Sequence, residues 1–337
     1  MKTLVTGSTG LVGSALVEQL LARGYEVRAL ARKTSDLGHL KTTGAEIIIG
    51  DVTDYTTLPP AVQGVDIVFH AAAKVTPGWG SWKEFEETTV QGTRNMLRAS
   101  AEAGVKRFLQ VSSHMVYGDA CQKGDVPADE CTPLEAFKSP PTYYDYSKML
   151  AERVCWEFHQ QGRIAVSMIR IVSAYGPRDR LLADRVYKQT SFPILFWPGD
   201  ANPRYAITYV SDIAELAILA ATSDRAIGQV YNVAGPQAVR LKEFAEAMIR
   251  ARGEAKLHAT MPYAVAWIWC WIMESVARLM RAKKMPYLTL ASLRSIHREG
   301  YVDGSKARNE LGWEPKVSVD EGTRLYVEWL RSQQKGR

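Results

Sequence analysis

Cysteine is scarce in this chain, with four residues (Cys121, Cys131, Cys155 and Cys270) in 337. Their spacing matches neither a metal-ligand set nor a disulfide framework, so reduced thiols and no metal site are expected. Fixed-period repeats and low-complexity tracts are missing. A strong charge of one sign is missing as well. The 42 Lys and Arg against 36 Asp and Glu leave +6, a mild excess spread along the chain that does not call for nucleic acid. No apolar run is long enough to cross a bilayer as a helix: Met261 to Met273, the most apolar late stretch, has thirteen residues. Met1 and Lys2 lead straight into the apolar Thr3 to Val5. No secretory leader is read ahead of it, and a cytoplasmic location is expected.

What is present reads as a soluble globular protein, 46% hydrophobic and 23% charged. Short apolar runs at Leu4–Val5, Tyr25 to Ala31, 47–49, 67–69, 108–111 and 166–169 alternate with turns and helical patterns. Such alternation implies a parallel sheet covered on both faces, and right-handed crossovers make it doubly wound. The fold class is therefore α/β, a Rossmann fold with a smaller C-terminal substrate-binding domain. The dinucleotide-binding part is expected over about 1–175 and the substrate part over 176–331, with segments around 208–233 returning to the core.

Gly7-Ser8-Thr9-Gly10-Leu11-Val12-Gly13 follows the first strand. Gly7 suits a tight turn, Gly10 a close approach to pyrophosphate, and Gly13 close packing of the helix on the sheet. The spacing differs from Gly-x-Gly-x-x-Gly, and glycines in a plain strand-to-helix turn are the bland alternative. After the second strand the chain reads Leu30-Ala31-Arg32-Lys33, with no carboxylate for a ribose 2′-hydroxyl. Arg32, helped by Lys33, would pair with a 2′-phosphate, so NADP(H) is preferred and NAD(H) is the second choice; a solvated basic turn is the alternative. Asp51 and Val52 after the third strand are candidates for the adenine edge.

Tyr144 and Lys148 lie four apart at the start of a helical pattern, on one face. An ammonium there is expected to lower the phenol pKa, so that tyrosine exchanges a proton with a carbinol or carbonyl. Tyr143 and Tyr146 compete as phenols, but neither has a lysine four residues on. The strand 108–111 ends in Ser112-Ser113, at the edge where open α/β sheets bind ligands.

With these motifs, His70-Ala71-Ala72-Ala73, Gly92-Thr93-Arg94-Asn95 and Tyr175-Gly176-Pro177, the chain resembles the extended short-chain dehydrogenases/reductases. The resemblance implies a Ser113/Tyr144/Lys148 catalytic set, with Ser113 rather than Ser112 as the active serine. It implies cofactor contacts from Gly7, Thr9, Gly10, Leu11, Val12, Gly13, Arg32, Lys33, Asp51, Val52, Ala71, Ala72, Ala73, Lys74, Tyr144, Lys148 and Ile171. It also implies a homodimer through helices at 82–103 and 143–161. Two positions depart from the pattern: Thr89 where the family commonly has a relay asparagine, and Ile171 in place of a proline.

Gly199-Asp200 through Ala206 lacks the Arg-Asp pair common in nucleotide-sugar enzymes. Gly176-Pro177-Arg178-Asp179, Trp79-Gly80-Ser81-Trp82 and the end of the chain from Asp303 to Trp313 resemble the branch of 3β-hydroxysteroid and sterol-carboxylate dehydrogenases and 2-alkyl-3-oxoalkanoate reductases. Phe192 to Trp197 reads as an apolar loop near the site. The expected function is NADP(H)-dependent interconversion of alcohol and ketone on a bulky hydrophobic 3-hydroxy or 3-oxo compound. The alternatives are a nucleotide-sugar epimerase or dehydratase with tightly held NAD, and a non-catalytic dinucleotide sensor. Met261 to Met280, with Trp267, Trp269 and Trp271, is followed by Arg281, Lys283 and Lys284. It reads either as a buried helix of the substrate domain or as a peripheral membrane contact through 261–284.

Overall fold

A computed structural model of the chain describes residues 1–76, 79–122, 127–134, 142–199, 204–235, 238–254, 257–280, 282, 289–290, 293 and 302–335. Seven parallel strands form the main sheet: β1 (Lys2–Thr6), β2 (Glu26–Ala31), β3 (Glu46–Ile49), β4 (Ile67–His70), β5 (Arg107–Ser113), β6 (Ala165–Ile171) and β10 (Val230–Val233). Their order is β3-β2-β1-β4-β5-β6-β10. The direction of winding reverses between β1 and β4, where Thr6 lies beside His70. Ligands of open α/β sheets sit in the crevice at such a switch point.

Neighbouring residues on each strand enter opposite layers, because strand side chains alternate. Val5, Leu109 and Ile169 face α1 (Leu11–Ala22) and α7 (Val210–Thr222), whereas Leu4, Phe108 and Met168 face α2 (Leu58–Val62), α4 (Gly92–Glu102) and α5 (Tyr143–Gln160). Both faces are thus covered, which is why these strands read as nearly continuous apolar runs.

The helical run from residue 82 is not uniform. A short helix α3 (Trp82–Phe85) passes through a π-helical stretch, Glu86–Gln91, before α4. Insertions of this kind cluster at functional sites.

A third core, built on Tyr175, Leu195, Trp197, Phe244, Met248 and Tyr326, belongs to the smaller unit. It holds β7 (Ser173–Tyr175), β9 (Arg204–Tyr209) and β11 (Ala238–Arg240) in one sheet and β8 (Ile194–Pro198) with β12 (Leu257–Met261) in another. Around them lie α6 (Ala183–Gln189), α8 (Leu241–Arg252) and α11 (Val319–Lys335). The apolar stretch read as a loop at 192–197 is mostly strand β8, since alternation buries Leu195 and Trp197 while Ile194 faces out.

The tail makes a second correction. α10 (Ser305–Leu311) and Trp313 pack on the main sheet's core rather than closing the smaller unit. Trp313 Nε1 donates to the Asp212 carbonyl at 3.1 Å, and Tyr231 donates to Glu310 at 2.8 Å. With Ala307 and Trp313 buried there, these bonds hold the tail on the main sheet's core.

The tryptophan-rich segment forms α9 (Tyr263–Leu279). It is not a buried helix: only Ala266 and Cys270 are buried, while Trp267, Trp269 and Trp271 are exposed. Residues 281, 283 and 284 lie outside the described residues. Among the described residues no helix is long and apolar enough to cross a membrane, and no cluster of potential metal ligands occurs.

Candidate active site

The loops leaving the C-terminal ends of β1 to β6 converge on one edge of the sheet. Gly7 turns there with φ +64°, in the left-handed region that favours glycine, and a Cβ on it would meet the Ala71 backbone at 2.8 Å. The loops after β1 and β4 therefore touch at the switch point. At Gly13 a Cβ would lie 2.1 Å from the Gly7 carbonyl oxygen, so only glycine lets α1 sit this close to the turn. Gly10 caps α1 without any side-chain hydrogen bond, and the first turn carries no acidic residue. Bare N–H groups at a helix start, beside a turn too tight for side chains, fit a pyrophosphate.

The remaining predicted cofactor positions lie around this turn. Thr9, Leu11 and Val12 are half-buried. Arg32 and Lys33 are exposed just past β2, and no ion pair is formed by either among the described residues. Asp51 uses one carboxylate oxygen on the Thr53 N–H and hydroxyl, at 3.0 and 2.9 Å. Val52 is buried, and its carbonyl accepts from Asn95 at 2.9 Å. Ala71, Ala72, Ala73 and Lys74 line the exit from β4. The Ala72 N–H donates to Thr6 at 3.2 Å, and Lys74 pairs with Glu84 at 3.1 Å. Ile171, at the end of β6, is register partner to both Ser113 and Val233.

Ser113, at the end of β5, accepts the Met115 N–H at 3.2 Å and hydrogen-bonds the Tyr144 phenol. Ser112 points elsewhere, donating to Glu152 at 2.5 Å. Tyr143 and Tyr146 are exposed and packed on Trp82, so of the three phenols Tyr144 alone meets Ser113. Thr142 caps α5 reciprocally with Asp145, which fixes the first turn carrying Tyr144.

Burial pushes the Tyr144 phenol up to about 12, the Ser113 hydrogen bond works against that rise, and Asp145 adds to it. Lys148, expected to lower this phenol, is buried and donates to the Val111 carbonyl at 2.8 Å. Burial pushes Lys148 down to about 8 against the opposing pull of Glu152. The group that counters burial at Tyr144 is thus the serine, and the phenol carries its proton at neutral pH.

Beneath the site lies a polar network that motif spacing did not reveal. Arg170 grips Glu152 with two bonds of 3.0 and 2.7 Å and donates to Tyr117 at 2.8 Å; Tyr117 donates to Asn232 at 2.8 Å. All are buried, which fastens α5 to β6 and β10. A signal was available, since Glu152 continues the Tyr144/Lys148 face by one more turn. His70 is another buried strut. Its ring meets Thr6 at 2.8 Å and Thr93 at 3.2 Å, and burial, then the Lys148 charge, lowers it to about 3. Thr89 stands in the π-helical stretch with its hydroxyl accepting the Lys74 N–H at 3.1 Å.

The profile of the family described as NAD dependent epimerase/dehydratase matches residues 3–234. The chain belongs to this family. It is an NAD(P)-dependent enzyme of the extended short-chain dehydrogenase/reductase type. It is similar to a 2-alkyl-3-oxoalkanoate reductase of Stenotrophomonas maltophilia (strain K279a), 29% identical over 96% of this chain and 98% of the relative. A 3-beta-hydroxysteroid dehydrogenase of Mycolicibacterium neoaurum is 27% identical over 95% and 88%. A solved dTDP-glucose 4,6-dehydratase of Streptomyces venezuelae, with NAD and TYD bound, superposes with a TM-score of 0.79 at 24% identity. It covers 100% of this chain and 98% of its own. At that identity the likeness speaks for the fold alone.

Of the group a family member would hold, the glycine cradle fits the pyrophosphate, and Arg32 and Lys33 follow β2 as exposed cations. When bound, a nicotinamide dinucleotide supplies or accepts a hydride.

Proposed function

We propose that this enzyme reduces the ketone of a bulky, hydrophobic 3-oxo compound, or runs the reverse oxidation, with NADP(H) as the preferred cofactor. The observation that carries the reading is the placement of the Tyr144 phenol, in the first turn of α5, beside Ser113 at the ligand edge of the sheet. In the reducing direction the Tyr144 hydroxyl gives its proton to the carbonyl oxygen as hydride reaches the carbonyl carbon. Ser113 holds that oxygen with a second hydrogen bond and receives orientation from the Met115 N–H. Lys148, one turn further along α5, is held by the Val111 carbonyl.

NADP(H) is supported by Arg32 and Lys33, exposed and without an acidic neighbour at the end of β2. A lipophilic substrate is supported by the ketoreductase and hydroxysteroid dehydrogenase among the relatives, which match over nearly the whole chain. Tyr205 and Ala206 in β9 stand where nucleotide-sugar enzymes commonly carry Arg-Asp, with Arg204 one place early, which reduces the cations offered to a diphosphate.

A nucleotide-sugar epimerase or dehydratase is the second reading, favoured by the match to the family described as NAD dependent epimerase/dehydratase. One panel separates the two. Nicotinamide absorbance is followed with NADPH and NADH against long-chain 2-alkyl-3-oxo acids and 3-oxosteroids, and sugar nucleotides are followed by product analysis. Turnover of an apolar ketone, faster with NADPH, is expected. Conversion of a sugar nucleotide without net nicotinamide change, and silence toward the ketones, would overturn the proposal.

A further inference from the structure

Helix α9 reverses the usual arrangement of a surface helix. Its small residues, Ala266 and Cys270, face the protein, where they meet Leu293 and the partly buried Met261 and Leu290. Its large apolar residues face outward. Val265, Ile268, Trp269, Ile272, Val276 and Leu279 recur at the spacing of one helical face, and their exposure runs from 43% to 85%. A monomer in water gains nothing from presenting such a stripe.

The charges on this helix are sorted as well. Glu274, the one acidic residue between 263 and 280, has a side chain only 13% exposed and accepts the Leu290 N–H at 2.5 Å. Arg278 is 64% exposed at the C-terminal end, in a loose i,i+4 pair of 3.7 Å with Glu274 and with its guanidinium 5.3 Å from the Trp79 ring centroid. In the sequence Arg281, Lys283 and Lys284 follow. Among the described residues the outward face therefore combines aliphatic side chains and tryptophans with Arg278 at one end and no exposed carboxylate on the helix. That is the chemistry of the headgroup boundary of an anionic bilayer, where tryptophan is favoured and cations meet lipid phosphates.

We propose that α9 is a peripheral membrane anchor, lying in the plane of an anionic lipid surface with its Val265/Trp269/Ile272/Val276 stripe inserted. A helix of seventeen residues spans roughly 25 Å, enough to lie along the surface. Because Arg278 touches Trp79, on the loop that leaves β4, attachment brings the ligand edge of the sheet close to the lipid. The anchoring does not depend on what the enzyme reduces.

The test is flotation of the full chain with vesicles of phosphatidylcholine alone and with roughly one-third phosphatidylglycerol. Wild type should float with the anionic vesicles and far less with the neutral ones. Trp269→Glu/Ile272→Glu should lower retention by more than about tenfold while its melting curve stays that of wild type, both sites being exposed. Arg278→Glu should lower it by at least about fivefold, and more weakly at high salt. Failure of wild type to float, or equal flotation of wild type and the double variant, would overturn the proposal. So would light scattering that finds a dimer which the double variant splits, because the face would then be a contact between copies.

Discussion

Removing the Glu152 carboxylate tests the network under the site more sharply than any change at its rim. Glu152→Ala leaves the Arg170 guanidinium, 4% exposed, with Tyr117 as its remaining side-chain partner. Breaking one side of such a buried pair costs about 3–5 kcal/mol. For 337 residues the unfolding entropy is on the order of 0.7 kcal/mol per kelvin. The melting temperature, followed by near-ultraviolet circular dichroism, should therefore fall by about 4–7 °C. A second readout reaches the chemistry. The Glu152 charge raises Lys148, which burial holds near 8, so its loss lowers Lys148 further. The alkaline limb of activity should then move to lower pH. Combining Glu152→Ala with Arg170→Met removes both charges and should recover much of the lost stability. A single variant that melts within about 1 °C of wild type, or a double variant less stable than either single, would refute the reasoning.

Two further outcomes follow from the same geometry. Arg32→Ala should weaken NADP⁺ binding by roughly 10- to 100-fold, the worth of a charged hydrogen-bonded contact, and leave NAD⁺ nearly unchanged in calorimetry; equal losses for both would remove Arg32 from the phosphate. His70 is neutral in the fold down to about pH 3, whereas an unfolded histidine binds its proton near 6.5. Stability should thus fall as pH drops from 6.5 toward 3, by on the order of 4 kcal/mol, and His70→Asn should flatten that slope in acid melts.

Most of the main sheet was legible in the sequence because its strands are buried on both faces. Apolar runs such as 67–69 and 108–111 then stand out whatever the tertiary context, and β4 and β5 formed around them. The glycine turn was legible for a different reason: Gly7 and Gly13 occupy places where a Cβ would collide with backbone. Features that depend on distant partners were not. Motif reading stopped at Ile171 and missed the pairing of the neighbouring Arg170 with Glu152, because that pairing is made by packing α5 across β6. The π-helical stretch at Glu86–Gln91 left no mark in a helical pattern read as continuous. Spacing also suggested that Lys148 would act on the neighbouring phenol, yet its ammonium found the Val111 carbonyl. The segment 303–313, within the range expected for the smaller unit, joined the sheet core through Ala307 and Trp313.

The most direct test of the account is Tyr144→Phe, measured for ketone reduction with NADPH and, in parallel, for dinucleotide binding by fluorescence. The phenol lies beside Ser113 on α5, whereas the glycine cradle is built from the turn after β1. Turnover should drop by about 10²–10⁴-fold, the usual worth of a positioned proton donor, while the dinucleotide binds as tightly as to wild type. Turnover retained within a few-fold of wild type would contradict the assignment of Tyr144 as the proton donor.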